Sequence, residues 1–196
     1  MSKSEEEKQK IVERYESLRI SMKNDGFHET ICTISILKAN LMAIITAMPI
    51  VLPCYILFFI KWKEAELNVT LSTLFSFIVS LSASMIIHEV IHGLTLSLFC
   101  KYKWKSIHLG VTPYCHCKET LKFGGYILGV LMPLIVLGIG LFSLSLFTGN
   151  VFILILSITN IFSAGGDIAI ALMLLKHKNS LIVDHPTECG FTAFSK

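Results

Sequence analysis

Over residues 2–38 charged and polar residues recur every few positions, whereas beyond Lys38 long apolar runs follow one another with short polar breaks. Four runs, 39–60, 69–99, 126–147 and 151–175, are each long enough to cross roughly 30 Å of hydrocarbon as a helix. Pro49, Pro53 and Pro133 fall inside them, which spanning helices tolerate where neighbours satisfy the freed carbonyls. The first run is too long for a signal-peptide core and follows a polar leader, so it is expected to remain as a spanning helix. In that leader Ile11, Tyr15, Leu18 and Met22 fall at helical spacing opposite Glu13, Arg14, Glu16 and Arg19. This predicts an amphipathic helix that lies on the membrane surface or docks on the apolar domain. Between the second and third runs Ile107, Leu109 and Val111 alternate with His108, Gly110 and Thr112 until Pro113 ends the run, which predicts a short β-like hairpin or edge segment. The expected fold is an all-α membrane protein with about four transmembrane helices. A cytoplasmic amphipathic arm (1–38) precedes the helical domain (39–175), and a cytoplasmic tail (176–196) follows it.

Composition supports the membrane reading: 53% of the 196 residues are hydrophobic and 16% charged, with mean hydropathy +0.67. An average soluble domain carries about a quarter charged residues. Lysine and arginine concentrate in the arm, in the loop between the second and third runs (Lys101, Lys103, Lys105, Lys118, Lys122) and in the tail. By the positive-inside rule both termini and that loop are expected in the cytoplasm of a multi-pass cell-membrane protein. The net charge of +3 then reflects topology and attraction to the lipid bilayer, with no case for nucleic acid. Five of the six cysteines would face the reducing side, so no disulfides are expected.

One polar cluster interrupts the second run. In "SMIIHEVIHGLTL", residues 84–96, His88 and His92 stand one helical turn apart, so their rings can converge on one ion. Glu89 lies about 100° around the helix, where it reaches a water on that ion without being a ligand. Zinc held by neutral imidazoles lowers the pKa of bound water to around 7, and the carboxylate then removes its proton. The plainer alternative is a structural cluster, with the histidines bonding across the bundle. Ser72, Ser76, Ser80 and Ser84 continue the histidine stripe toward the N-terminus, which predicts that this whole face points into the bundle.

Catalytic zinc needs a third protein ligand. The extended motif fails, because Thr95 and Leu98 stand where glycine and histidine would be needed. Asp167, in "NIFSAGGDIAIALMLL", is the one aspartate inside an apolar run. It precedes Lys176 by nine residues, as His92 precedes Lys101, so both groups lie roughly 13 Å from their cytoplasmic ends at 1.5 Å per residue. The Ser163, Ala164, Gly165, Gly166 run allows close approach or unwinding beside it. His108, His116, His177 and Glu119 remain competing ligands. Asn160 is a candidate for hydrogen-bonding a substrate carbonyl, or else a helix contact. Asp184 and His185 are read as parts of a tail turn, "DHPTECG".

"HEVIHG", "PYCHCKE", "NIFSAGGD" and "VDHPTECGF" together resemble the zincin peptidase family of bacterial membrane proteins, whose broader relatives would be site-2 type intramembrane metalloproteases. The resemblance covers roughly residues 72–191. It implies a zinc peptidase with His88, His92 and Asp167 as ligands and Glu89 as base, acting on a membrane protein or membrane-proximal peptide. It also implies that the hairpin borders the site, where it could hold an extended peptide by strand addition. The chain departs from the site-2 pattern in lacking a proline after Asn160, and in carrying Gly166 and Ile168 where that pattern has leucine and glycine around the aspartate. The rival readings are a non-enzymatic membrane protein that binds or transports metal, and a degenerate zincin acting as a binding or immunity partner. A carboxylate beside the ligands is needed only by the enzyme.

Overall fold

The computed structural model describes residues 3–67, 69–110 and 115–196. Val111, Thr112 and Pro113, at the end of the alternating run, lie outside the described residues. The element order is α1 (Lys3–Asn24), β1 (His28–Ile34), α2 (Ile36–Lys61), α3 (Leu71–Phe99), β2 (Ile107–Leu109), β3 (Cys115–Cys117), β4 (Leu121–Lys122) and α4 (Phe123–Pro133). A wider π-helical stretch, Leu134–Gly140, leads into α5 (Leu141–Thr148), followed by α6 (Val151–Ser163), α7 (Gly165–Leu174), β5 (Leu181–Asp184) and β6 (Cys189–Ser195).

Three helices, Ile36–Lys61, Leu71–Phe99 and Phe123–Thr148, are long and apolar enough to cross a membrane. Val151–Ser163 and Gly165–His177 make a fourth candidate span, bent by 41°. Leu41, Ile45, Leu52, Phe75, Ile78 and Ile86 are exposed, as expected of side chains that meet lipid in a membrane protein. The serine stripe of α3 turns inward only toward its C-terminal end. Ser84, His88 and His92 are buried, whereas Ser72 and Ser76 are exposed, because few residues pack against the first half of that helix.

The all-α expectation is corrected by a four-stranded antiparallel sheet of order β1-β6-β5-β4. Arm and tail build most of it: β1 pairs with β6 from His28 opposite Ser195 to Ile34 opposite Cys189. Their partners are more than 150 residues apart, so local periodicity in either segment carries no sign of the other. The short hairpin expected between the second and third spans is present as β2 and β3, with His108 opposite His116.

The amphipathic arm helix docks on this sheet. Its apolar stripe, Tyr15 with Leu18 and Met22, packs on Val183 and Phe194, and the Tyr15 hydroxyl lies 2.5 Å from Thr192 Oγ1. Full burial of one such side chain contributes about 1.5–3 kcal/mol, and Tyr15 is buried while Leu18 and Met22 are partly so, which together stabilise a helix that would be marginal alone. On the other side of the sheet Ile182, Phe191 and Ala193 share a core with Leu96 of α3, Tyr126 and Val130 of α4 and Leu174 of α7. The sheet is thereby seated on α3, α4 and α7, of which α3 and α7 carry the polar cluster.

Candidate metal centre

On α3, His88 and His92 are buried with ring centroids 4.7 Å apart. His92 Nδ1 donates to the carbonyl of Gly129 at 2.8 Å, which leaves Nε2 as a lone pair in the neutral ring. Glycine allows close approach there: a Cβ at position 129 would lie 2.3 Å from Leu96 Cδ2 and 2.6 Å from its Cγ, so the buried Leu96 side chain or α4 itself would have to shift.

Asp167 arrives from the break between α6 and α7. Gly165 packs on the backbone of α2, where a Cβ would stand 2.2 Å from Ala43 O, and Thr46 Oγ1 donates to Gly165 O at 2.7 Å. The bend sets Asp167 in the first turn of α7 with its side chain 20% exposed. Asp167 Oδ2 lies 3.1 Å from His88 Nε2 and 3.5 Å from His92 Nε2, and the two nitrogens are 3.1 Å apart. Despite these short separations Asp167 Oδ2 has no hydrogen-bond partner among the described residues, nor has His88 Nδ1. One ligand atom from each of the three side chains lies within 4.8 Å of the other two. Four-coordinate zinc with bonds of about 2.0–2.1 Å sets its ligand atoms roughly 3.3–3.4 Å apart, a value within the observed range. The donor set of two imidazoles and one carboxylate fits that ion. Among the described residues this is the one group of three such side chains close enough to share a metal.

The competing residues lie elsewhere. Glu119 binds the loop after α3, accepting from the backbone of Lys101 at 2.8 Å and Tyr102 at 3.2 Å and from the Ser106 hydroxyl. Burial alone would raise its carboxyl, but these donors outweigh it and hold the group below the usual carboxylate range. His177 Nε2 lies 3.3 Å from Cys32 Sγ, and His108 pairs across the β2–β3 ladder. Cys117 Sγ approaches Cys100 Sγ at 3.4 Å, and all six cysteines are free thiols. Asn160 is buried and its Nδ2 donates to Leu156 O within its own helix at 2.8 Å; it is not among the residues that line the cavity beside the cluster.

That cavity, of about 210 Å³, is lined by Glu89, His92 and Asp167 together with Asp184, His185 and Glu188 of the β5–β6 hairpin. Glu89 interacts with the backbone N–H of Cys115, at the start of β3. Two residues along the same strand edge, Cys117 N–H donates to Asp184 Oδ2 at 2.6 Å, while Tyr126 Oη donates to Asp184 Oδ1 at 2.5 Å. The hairpin's part in the cavity was missed by sequence reasoning. "DHPTECG" does form the expected turn, and the pairing of β6 with β1 and of β5 with β4 holds it at the cavity wall.

Residues 81–182, just over half of the chain, match a family profile described as putative zincin peptidase. No curated protein and no solved structure matches the chain.

Proposed function

Because the chain belongs to this zincin peptidase family, whose cofactor is zinc, we propose that it is a membrane-embedded metallopeptidase of site-2 type. The observation that carries the reading is the convergence of His88 Nε2, His92 Nε2 and Asp167 Oδ2 at zinc-like separations beside Glu89, in a cavity at the sheet end of the helices. The substrate is a transmembrane or membrane-proximal peptide, and by the charge of the loops both termini face the cytoplasm.

His88, His92 and Asp167 would hold the metal. Bound there, zinc supplies Lewis acidity that brings the pKa of water toward 7 and polarises a carbonyl. Glu89, which lines the cavity and is oriented by the Cys115 N–H, would accept the proton from that water and deliver it to the departing amine. Gly129 fixes the His92 tautomer. The β2–β3 hairpin, which reaches the cavity at Cys115, would help to hold an extended peptide there, and Asn160 is proposed to meet a substrate carbonyl, its Nδ2 exchanging Leu156 O for that contact.

The test is metal content followed by cleavage. Gently purified protein should hold about one zinc per chain, lost in His88→Ala and His92→Ala. Glu89→Gln should keep the zinc and abolish cleavage of a co-expressed membrane substrate. Equal zinc in wild type and both histidine variants would sink the metal centre; undiminished cleavage by Glu89→Gln would remove its role as base. Loss of metal transport in that variant would point to the transporter reading instead.

A further inference from the structure

Two buried thiols meet where α3 ends. Cys100 follows the last turn of that helix and Cys117 closes β3, and their sulfurs lie 3.4 Å apart. Both side chains are buried in one core with Leu96, Ile107 and Leu121. Among the described residues no other two thiols approach so closely, and no third metal-ligating side chain is near enough to make the pair a metal site.

Both residues are held from several directions. Cys117 stands opposite Ile107 in the β2–β3 ladder, and its N–H donates to Asp184 Oδ2 at 2.6 Å. Beyond Cys100 the N–H groups of Lys101 and Tyr102 donate to Glu119, and Lys118 N–H donates to Ser106 O at 2.9 Å. The loop between the thiols is therefore closed on itself before any covalent link exists. A disulfide has its sulfurs about 2.05 Å apart, so bonding requires them to approach by roughly 1.3 Å. The two thiols also differ in character. The Cys117 thiol bonded to Cys100 holds Cys100 below the usual thiol range, whereas that same bond, with burial, holds Cys117 above it. Cys100 is the sulfur suited to attack and Cys117 the one suited to resolve.

We propose that Cys100 and Cys117 form a redox-active dithiol, closed by hydrogen peroxide to a disulfide that ties β3 to the end of α3. The Cys100 thiolate attacks one peroxide oxygen, the O–O bond breaks, and the departing hydroxide takes up the thiol proton as water. Cys117 then attacks the sulfenic sulfur of Cys100. The S–O bond breaks, the S–S bond forms, and a second water leaves with the Cys117 proton. Two electrons pass from the sulfurs to the peroxide, and a small dithiol returns them by exchange. The link reaches the metal centre through β3, because Cys115, one strand repeat from Cys117, meets Glu89 by its N–H. Drawing Cys117 toward α3 shifts that contact, so closing the disulfide should slow cleavage. This last step rests on the zinc peptidase reading; the disulfide itself does not.

The test treats full-length protein, purified reduced in detergent, with stoichiometric hydrogen peroxide and maps its peptides by mass spectrometry. Wild type and Cys32→Ala should each lose two hydrogens and yield a peptide linking Cys100 to Cys117, reversed by dithiothreitol. Cys117→Ala lacks the resolving sulfur, so dimedone should label Cys100 there and not in wild type. Wild type in which both thiols stay open to alkylation after unfolding, or in which other cysteines link as readily, overturns the proposal even if the variant does not fold. Zinc content should be equal in the two redox forms, since no ligand is a thiol, while cleavage should fall at least 10-fold on oxidation and recover on reduction. Equal cleavage by both forms overturns the control of Glu89. A protein that forms the link but holds no zinc in either form defeats the metal centre and leaves the dithiol standing.

Discussion

Gly165→Ala tests whether the approach of α7 to α2 sets the metal centre. The added Cβ would stand 2.2 Å from Ala43 O and 2.7 Å from Ala43 C and Cα, all backbone atoms of α2 that cannot rotate away. Carbon meets a carbonyl oxygen at about 3.3–3.6 Å, so α7 must retreat by roughly 1 Å. Overpacking of this kind costs about 1–3 kcal/mol. The bond from Thr46 Oγ1 to Gly165 O, 2.7 Å long, would be stretched as well, adding about 1 kcal/mol. Asp167 lies two residues further along the helix, and metal sites tolerate ligand displacements of only about 0.2 Å. Zinc affinity should therefore fall on the order of 100-fold, the upper end of what supporting contacts contribute. Gly166→Ala is the control: nothing lies within 4 Å of its Cβ position, and alanine favours the helix by about 0.5–1 kcal/mol. Competition with a chromophoric chelator gives the affinities, and thermal melting in detergent gives the stabilities. Zinc affinities for Gly165→Ala within threefold of both wild type and Gly166→Ala would refute the argument, since Asp167 would then tolerate a displaced helix.

Asp167→Ala should lose zinc as His88→Ala does, read by metal analysis of the purified proteins; retention would return the third-ligand question to the loop residues. Gly129→Ala should weaken zinc binding about 10- to 100-fold by separating His92 Nδ1 from its carbonyl, a loss visible in the same chelator assay. Docking of the arm should depend on acid pH through Glu29. Its carboxylate bonds Arg19 and also meets Lys23 at 2.9 Å, contacts that hold it below the usual glutamate range. A depressed carboxyl contributes fully above the ordinary value and loses that contribution as pH falls through the folded value. Amide exchange in α1 should accordingly rise below about pH 4.5 in wild type, and Glu29→Gln should show that higher exchange already at pH 7.

What could be read from the sequence was what neighbouring residues determine together. The four apolar runs, the stripe that places His88 and His92 on one face, and the small-residue break before Asp167 all act within a turn or two of helix. Asp167 itself was reached by depth, a global argument that works because a membrane fixes the level of every spanning residue. The sheet escaped because each strand finds its partner across the whole chain. "HETICTI" and "CGFTAFS" carry the β-branched or aromatic residues of strands, and that was the signal available. Glu119 was a plausible ligand by residue type alone; only the path of the loop shows it bonded to Lys101, Tyr102 and Ser106. The exposed serines of α3 show the converse limit. A stripe records which residues share a face but cannot say how far a neighbour extends along it.

Asp184 links the part that was legible to the part that was not. One carboxylate oxygen takes the Cys117 N–H of β3, and the other takes the Tyr126 hydroxyl of α4. Cys115, one strand repeat from Cys117, meets Glu89, and Gly129, one helical turn from Tyr126, holds His92. Asp184 thus braces both supports of the metal centre from the tail. In Asp184→Asn the amide can accept from only one of the two donors and turns its own N–H toward the other. A hydrogen bond to a charged group contributes about 1.5–3 kcal/mol, so the strand edge should loosen by an amount of that order. Amide exchange at Cys117 should then rise roughly 10- to 100-fold while zinc stays bound, because none of the three ligands is touched. Tyr126→Phe removes one of the same bonds and should loosen Cys117 less, since its own bond to Asp184 remains. Unchanged exchange at Cys117 in Asp184→Asn would mean that β3 is held by its pairing with β2 alone, and that the tail does not brace the catalytic strand.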